Sequence, residues 1–198
     1  MSKLQGTKTL ANLMKAFAGE SQARNRYTYF ASVALKEGFN QIQDIFLETA
    51  NNEKEHAKLF YKHLDSGLGG THEAVAVEFT AAYPVAYGNT YENLIAAAAG
   101  EHEEWSDLYK NFGDIAEEEG FRDIAATFRM VSKVETHHES RYLKLAENIK
   151  TEQVFKKPEP TSWICENCGY VHTGSSAPEL CPACHHPKAY FEVLGDNF

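Results

Sequence analysis

The sequence predicts an all-α four-helix bundle with one long crossover, followed by a small module of turns and short strands. Three observations carry this. Apolar residues recur at helical spacing in four long runs. The middle connection is far longer than the outer two. All four cysteines and five of the six prolines lie beyond position 157, whereas the first 150 residues hold only Pro84 and no cysteine.

The first run carries Leu10, Leu13, Met14, Phe17, Tyr27, Ala31 and Ala34, and the second Ile42, Ile45, Phe46, Thr49, Ala57, Phe60 and Leu64. Tyr91, Leu94, Ala98, Trp105, Leu108 and Phe112 make the third, and Phe121, Ile124, Phe128, Val131, Tyr142, Leu145 and Ile149 the fourth. Spacings of three and four put each set on one helix face. Gly38 and Gly120 suit short helix–helix turns, and short turns make antiparallel neighbours. Between the second and third runs lie residues 65–89, with Gly67, Gly69, Gly70 and Pro84. A connection that long can travel the length of a bundle, which is the ferritin-like arrangement. Within it Val75, Val77 and Phe79 alternate with Ala76 and Glu78, the pattern of a short extended piece. The bundle is expected over residues 1–150, a proline-containing linker over 151–162 and the cysteine module over 163–198. That module is too short to fold on an apolar core alone and needs a staple.

With 28 acidic and 19 basic side chains the formal net charge is −9, which argues against nucleic acid or an anionic membrane as partner. No uncharged apolar stretch approaches the roughly 18 residues of a membrane span. The start, MSKLQGTKTLANL, lacks an apolar signal core, so a cytoplasmic location is expected.

The two helical hairpins repeat each other. Phe17-Ala-Gly-Glu20 matches Ala98-Ala-Gly-Glu101 at an offset of 81. Gly38-Phe39, Ile42, Phe46, Glu53, His56 and Phe60 match Gly120-Phe121, Ile124, Phe128, Glu135, His138 and Tyr142 at an offset of 82. Such agreement marks an internal duplication and a bundle with approximate twofold symmetry.

Within the apolar stripes sit acidic residues. Glu20, Glu53, Glu101 and Glu135 each fall at helical spacing from core positions and therefore point inward. Buried carboxylates need a partner or a metal. Arg24 stands one turn from Glu20 and could neutralise it, but Glu53, Glu101 and Glu135 have no Lys or Arg three or four residues away. Glu53-x-x-His56 and Glu135-x-x-His138 place a carboxylate and an imidazole on one helix face. Two Glu-x-x-His motifs facing two further glutamates form the carboxylate-bridged di-iron constellation. The repeat breaks at Glu104, one turn after Glu101, where the first hairpin has Ala23. Glu104 is thus an additional ligand candidate, able to compete with His56. Tyr27 and Tyr109, seven and eight residues after Glu20 and Glu101, are placed either to hydrogen-bond the ligands or to pack in the core.

Cys165-x-x-Cys168 and Cys181-x-x-Cys184 are paired knuckles twelve residues apart. Four such thiolates make a closed tetrahedral site for zinc or a single iron. Iron is favoured because a di-iron site that turns over needs a supply of electrons. Trp163, Tyr170, Tyr190 and Phe191 would give it a dry surround.

These residues resemble the rubrerythrin family over essentially the whole chain. The resemblance rests on Phe17-Ala-Gly-Glu-Ser-Gln-Ala-Arg-Asn-Arg-Tyr27, Glu53-x-Glu-His56-Ala, Ala-Gly-Glu101-x-x-Glu104, Glu135-x-x-His138, Cys165-x-x-Cys-Gly-Tyr-Val-His172 and Ala177-Pro-Glu-Leu-Cys-Pro-Ala-Cys184. It implies a ferritin-like bundle joined to a rubredoxin-like domain with one iron on four cysteines, a site that zinc can fill on overexpression. It implies a cytoplasmic peroxidase that reduces hydrogen peroxide to water in oxidative-stress defence. Electrons would come from NAD(P)H through a reductase and often a separate rubredoxin. Carried over by position, Glu53 and Glu135 bridge two irons. Glu20 and Glu104 serve one iron, with His56 replacing Glu104 on reduction, and Glu101 and His138 serve the other. Tyr27 and Tyr109 match tyrosines that assist catalysis beside the ligands. The family pattern is a homodimer in which one subunit's tail approaches the other's di-iron site. Iron storage with dioxygen as oxidant, a zinc-ribbon binding protein and a dimanganese catalase-like site are the rival readings.

Overall fold

The computed structural model describes residues 3–195; residues 1–2 and 196–198, the last three of the expected cysteine module, lie outside the described residues. Helix α1 spans Lys8–Glu37 and α2 Asn40–Gly67. The third rod is interrupted: α3 covers Thr90–Glu103, a π-helical segment Glu104–Leu108, and α4 Tyr109–Glu118. Helix α5 runs Arg122–Lys150. The α1–α2 and α3–α4–α5 hairpins pack as a four-rod bundle, and no helix among the described residues is long and apolar enough to cross a membrane.

Local chemistry sets the joints. Gly38 and Gly120 are left-handed, at φ 82° and 87°. The residue after each donates back to the last turn, Phe39 N to Ala34 O at 2.9 Å and Phe121 N to Ala116 O at 2.7 Å. A side chain at such a φ is strained, which is why glycine stands there. Helix α1 starts on Thr7, whose hydroxyl accepts from Leu10 N at 3.1 Å. Helix α3 starts on a reciprocal Asn89–Glu92 capping box. The crossover remains irregular. The Val75–Phe79 alternation builds no strand, because no neighbouring strand offers it a ladder: the sheet among the described residues lies in the tail.

That sheet is antiparallel, in the order β2–β1–β3, with β1 Lys156–Cys165, β2 Val171–Ser176 and β3 Phe191–Val193. The expected linker therefore shortens. Residues 156–162 are strand, and Pro158 and Pro160 fall where the register slips between Lys156 and Thr161. Their missing N–H groups break no ladder bond there, which is why a proline-rich stretch can still be strand. Trp163 is fully buried beneath the sheet and its indole N–H donates to Gly174 O at 2.9 Å.

The bundle interior holds two apolar clusters. One contains Tyr27, Phe30, Phe46, Leu94 and Tyr142. The other contains Leu13, Phe60, Tyr109, Phe112, Phe128 and Val131. Every rod contributes to both and places one glutamate at the crossing point. Glu20 lies between Ala16 and Ala23, Glu53 between Ala50 and Phe60, Glu101 between Ala98 and Tyr109, and Glu135 between Val131 and Tyr142. The fold thus seals a layer of charge between two layers of hydrocarbon.

Candidate metal centres

Glu20, Glu53 and Glu135 have no exposed surface, Glu101 and His138 have 1% and His56 8%. Their ligand atoms form two overlapping groups, Glu20–Glu53–His56–Glu135 and Glu53–Glu101–Glu135–His138. The shared members split their oxygens. His56 Nδ1 lies 2.9 Å from Glu53 Oε2 and 2.9 Å from Glu135 Oε1. His138 Nδ1 lies 3.2 Å from Glu53 Oε1 and 2.8 Å from Glu135 Oε2. Of the two histidines, Glu20 Oε2 faces His56, at 3.8 Å, and Glu101 Oε2 faces His138, at 3.9 Å. Such a set can hold two cations side by side, with two carboxylates reaching both.

The terminal carboxylates are held from behind, crosswise between the hairpins. Tyr27 donates to Glu101 Oε1 at 2.6 Å, and Tyr109 donates to Glu20 Oε1. Each tyrosine is also packed in an apolar cluster, so one side chain fills both of the roles open to it from sequence. Each ties down one oxygen and leaves the other aimed at the centre.

The unpaired atoms test whether metal fits. Glu20 Oε2, Glu53 Oε1, Glu101 Oε2, both oxygens of Glu135 and His138 Nδ1 are buried without a hydrogen-bond partner. Native interiors rarely leave such groups unsatisfied. Carboxylate and imidazole donors suit iron or manganese. Without cations the cluster must share protons. Burial, then the charge of Glu53, raises Glu101 to about 8. Burial likewise lifts Glu20. Burial also opposes the Glu53 charge, but the close imidazoles of His138 and His56 outweigh it and hold Glu53 at about 2. Burial disfavours the imidazolium of His138, yet its contacts with Glu101, Glu135 and Glu53 raise it to about 12.

One possibility open from sequence closes. Arg24 is exposed and does not neutralise Glu20; the nearest cationic group is His56. Glu104 is half-buried and its carboxylate lies outside both groups. Burial and the charge of Glu20 push it well above the usual carboxylate range. The π segment explains its place. Tyr27 follows Glu20 by seven residues and Tyr109 follows Glu101 by eight, yet both reach the opposite glutamate. One inserted residue is absorbed where Tyr109 N bonds Glu104 O five residues back. The change of repeat offset from 81 to 82 was the sequence signal of this insertion. An outer layer has no motif in the sequence: Trp105 Nε1 and His102 Nδ1 both meet Glu139, the neighbour of His138.

In the tail, Cys165 and Cys184 sulfurs are 3.7 Å apart and those of Cys168 and Cys181 3.6 Å. A tetrahedron with metal–sulfur bonds of about 2.3 Å has edges of about 3.8 Å, whereas a disulfide would need about 2.05 Å. The spacing is that of four ligands of one ion. The backbone N–H of His186 aims at Cys184 and lowers its thiol to about 6.

The rubrerythrin family model matches residues 11–146, and that of the rubredoxin-like domain of rubrerythrin matches residues 163–192. The chain belongs to the rubrerythrin family. Rubrerythrin-1 of Clostridium acetobutylicum is 56% identical over 198 residues, covering all of both chains. A mixed-valence nigerythrin structure is 32% identical, covers 98% of this chain and 94% of that one, and superposes with a TM-score of 0.63. Bacterioferritin of Desulfovibrio desulfuricans, at 20% identity, a TM-score of 0.64 and 74% and 82% coverage, shares the bundle fold. The carboxylate–histidine cluster and the four-cysteine site match the iron cofactors of rubrerythrin and nigerythrin.

Proposed function

We propose that the chain is a cytoplasmic peroxidase that reduces hydrogen peroxide to water, with electrons relayed from NAD(P)H through a reductase or rubredoxin and its four-cysteine iron. The observation that carries this reading is the pairing, in one chain, of a sealed two-cation cluster with a four-thiolate site. A storage shell needs no attached one-electron carrier, and a zinc ribbon needs no buried carboxylates. Iron, when bound, supplies the two electrons that peroxide takes up, one from each ion.

The chain's own residues do the rest. Glu53 and Glu135, whose two oxygens turn to His56 on one side and His138 on the other, would hold both cations. Glu20 with His56, and Glu101 with His138, would complete the two positions. Tyr27 and Tyr109 hold a proton on Glu101 Oε1 and Glu20 Oε1, one carboxylate away from the centre, and so fix the rotation of the oxygens that face it. Glu104 would be the spare carboxylate, able to take the place of His56, whose imidazole is neutral once it ligates a cation. The apolar clusters on either side exclude bulk water.

The tail's position supports a homodimer. It rests against the α1–α2 turn, with Gln41 Nε2 3.0 Å from Glu192 Oε2. Glu53 lies about 18 Å further along α2 at 1.5 Å per residue. That separation within one chain is the reason for reading a second copy's tail as the electron donor.

The deciding experiment is anaerobic. The iron-loaded, fully reduced protein is mixed with hydrogen peroxide or with dioxygen, and oxidation of both centres is followed by absorbance. The expected result is much faster oxidation by peroxide. Preferential oxidation by dioxygen would overturn the peroxidase reading in favour of ferroxidation.

A further inference from the structure

The duplicated halves differ at Glu104, and this difference borders a cavity near the surface. Between α1, the π segment and the crossover lies a small cavity of about 40 Å³, lined by Glu104, Arg26, Tyr109 and Tyr83 among others. Its inner wall is Tyr109, the side chain that holds Glu20, so one ring separates it from the cation cluster. Its outer wall is Tyr83, whose hydroxyl donates to Lys15 O at 3.2 Å and which is 38% exposed. Tyr83 and Glu104 converge over Gly19. A Cβ there would lie 3.8 Å from Tyr83 Cε1 and 3.9 Å from Glu104 Oε1. Arg26 Nη1, buried and without a partner, is an unused donor on the same cavity. In the first hairpin Ala23 stands in the place of Glu104, 2% exposed in an unbroken helix.

We propose that Tyr83 gates the inlet by which the small oxidant reaches the Glu20 side of the cluster, and that its ring sets the size of what enters. A water needs about 10–15 Å³ of such space, so the cavity takes a peroxide-sized molecule and refuses a bulky hydroperoxide. Glu104 and Arg26 give that molecule an acceptor and a donor on the way in. The identity of the oxidant rests on the peroxidase reading; the inlet itself does not.

The test uses the iron-loaded protein and its Tyr83→Ala, Tyr83→Leu and Tyr83→Phe variants, with folding checked by thermal midpoint and by the absorbance of the four-cysteine iron. One readout is the ratio of kcat/KM for cumene hydroperoxide to that for hydrogen peroxide. The other needs no turnover: the rate at which azide perturbs the absorbance of the oxidised di-iron site. Tyr83→Ala and Tyr83→Leu are expected to raise both by about tenfold, the scale on which a pocket wall discriminates size. Tyr83→Phe, which keeps the ring, is expected to keep the size ratio. Should the alanine variant fail to fold, the leucine variant carries the same comparison. An unchanged size ratio with an unchanged azide rate in a folded variant would overturn the gate. If the protein proves to react with dioxygen instead, the azide rate still reads the inlet, so the two ideas fail separately.

Discussion

Glu20 and Glu101 show how a single residue can be both a defect and a device. Each is buried with one oxygen tied to a tyrosine from the other hairpin and one oxygen unpaired. The tyrosine fixes the carboxylate's rotation, and the free oxygen waits for a cation. Outer groups of this kind are worth about 10–100-fold in metal affinity or activity. Tyr27→Phe and Tyr109→Phe are therefore each expected to lower peroxide turnover within that range. The stability of the fold should change little, because both rings stay packed. Stopped-flow oxidation and thermal unfolding, measured together, check the split. The inward glutamates and the Glu-x-x-His pairs were legible because helical spacing alone aims them. The crosswise tyrosine bonds were not, since they join residues 74 and 89 positions apart in the chain.

At the scale of elements the same cross-bracing recurs at the helix starts. Glu119, just past α4, accepts from Lys8 N at 3.0 Å, Thr9 N at 2.8 Å and Thr9 Oγ1 at 2.6 Å. Its counterpart in the repeat, Glu37, accepts from Thr90 N at 2.9 Å. A carboxylate at a helix N-terminus satisfies orphan donors and meets the positive end of the helix dipole. Burial works against the Glu119 charge, but the Thr9 hydroxyl and the backbone N–H groups of Thr9 and Lys8 outweigh it and lower its pKa. Its contribution is thus present above the ordinary carboxylate value and is lost as pH falls through the lowered one. Glu119→Ala should cost about 0.5–1 kcal/mol at neutral pH, discounted for its exposure. That corresponds to about 1–4 °C in Tm for a chain of this size. The deficit should shrink below about pH 4.5, the region where a free carboxyl begins to protonate; thermal melts of both proteins across pH check this. Helix type was readable from periodicity, and the π segment was the exception. One extra residue shifts the stripe by about 100°, and only a comparison of the two repeats exposes it.

For the whole molecule, the fold class, the crossover and the split into bundle and tail followed from the distribution of glycine, proline and cysteine. The strand boundary at Lys156 did not, because prolines read as linker unless a bulge is known to accommodate them. The −9 charge also reads differently once four glutamates lie sealed between apolar layers, because bound cations would cancel them. If the relay runs between copies, chains damaged in different centres should repair each other. A Cys168→Ser protein and a Glu53→Ala protein, each inactive alone, are expected to regain peroxide turnover when unfolded and refolded together with iron. No recovery would place the relay within one chain. The contacts of Glu37 and Glu119 are reciprocal. Each hairpin completes a helix start of the other, with equivalent residues used in both directions. That is the pattern of an isologous dimer interface, here joined by a crossover into one polypeptide. A single hairpin cut from this chain would carry both the carboxylate and the helix start it seeks, and would find them in a second copy of itself.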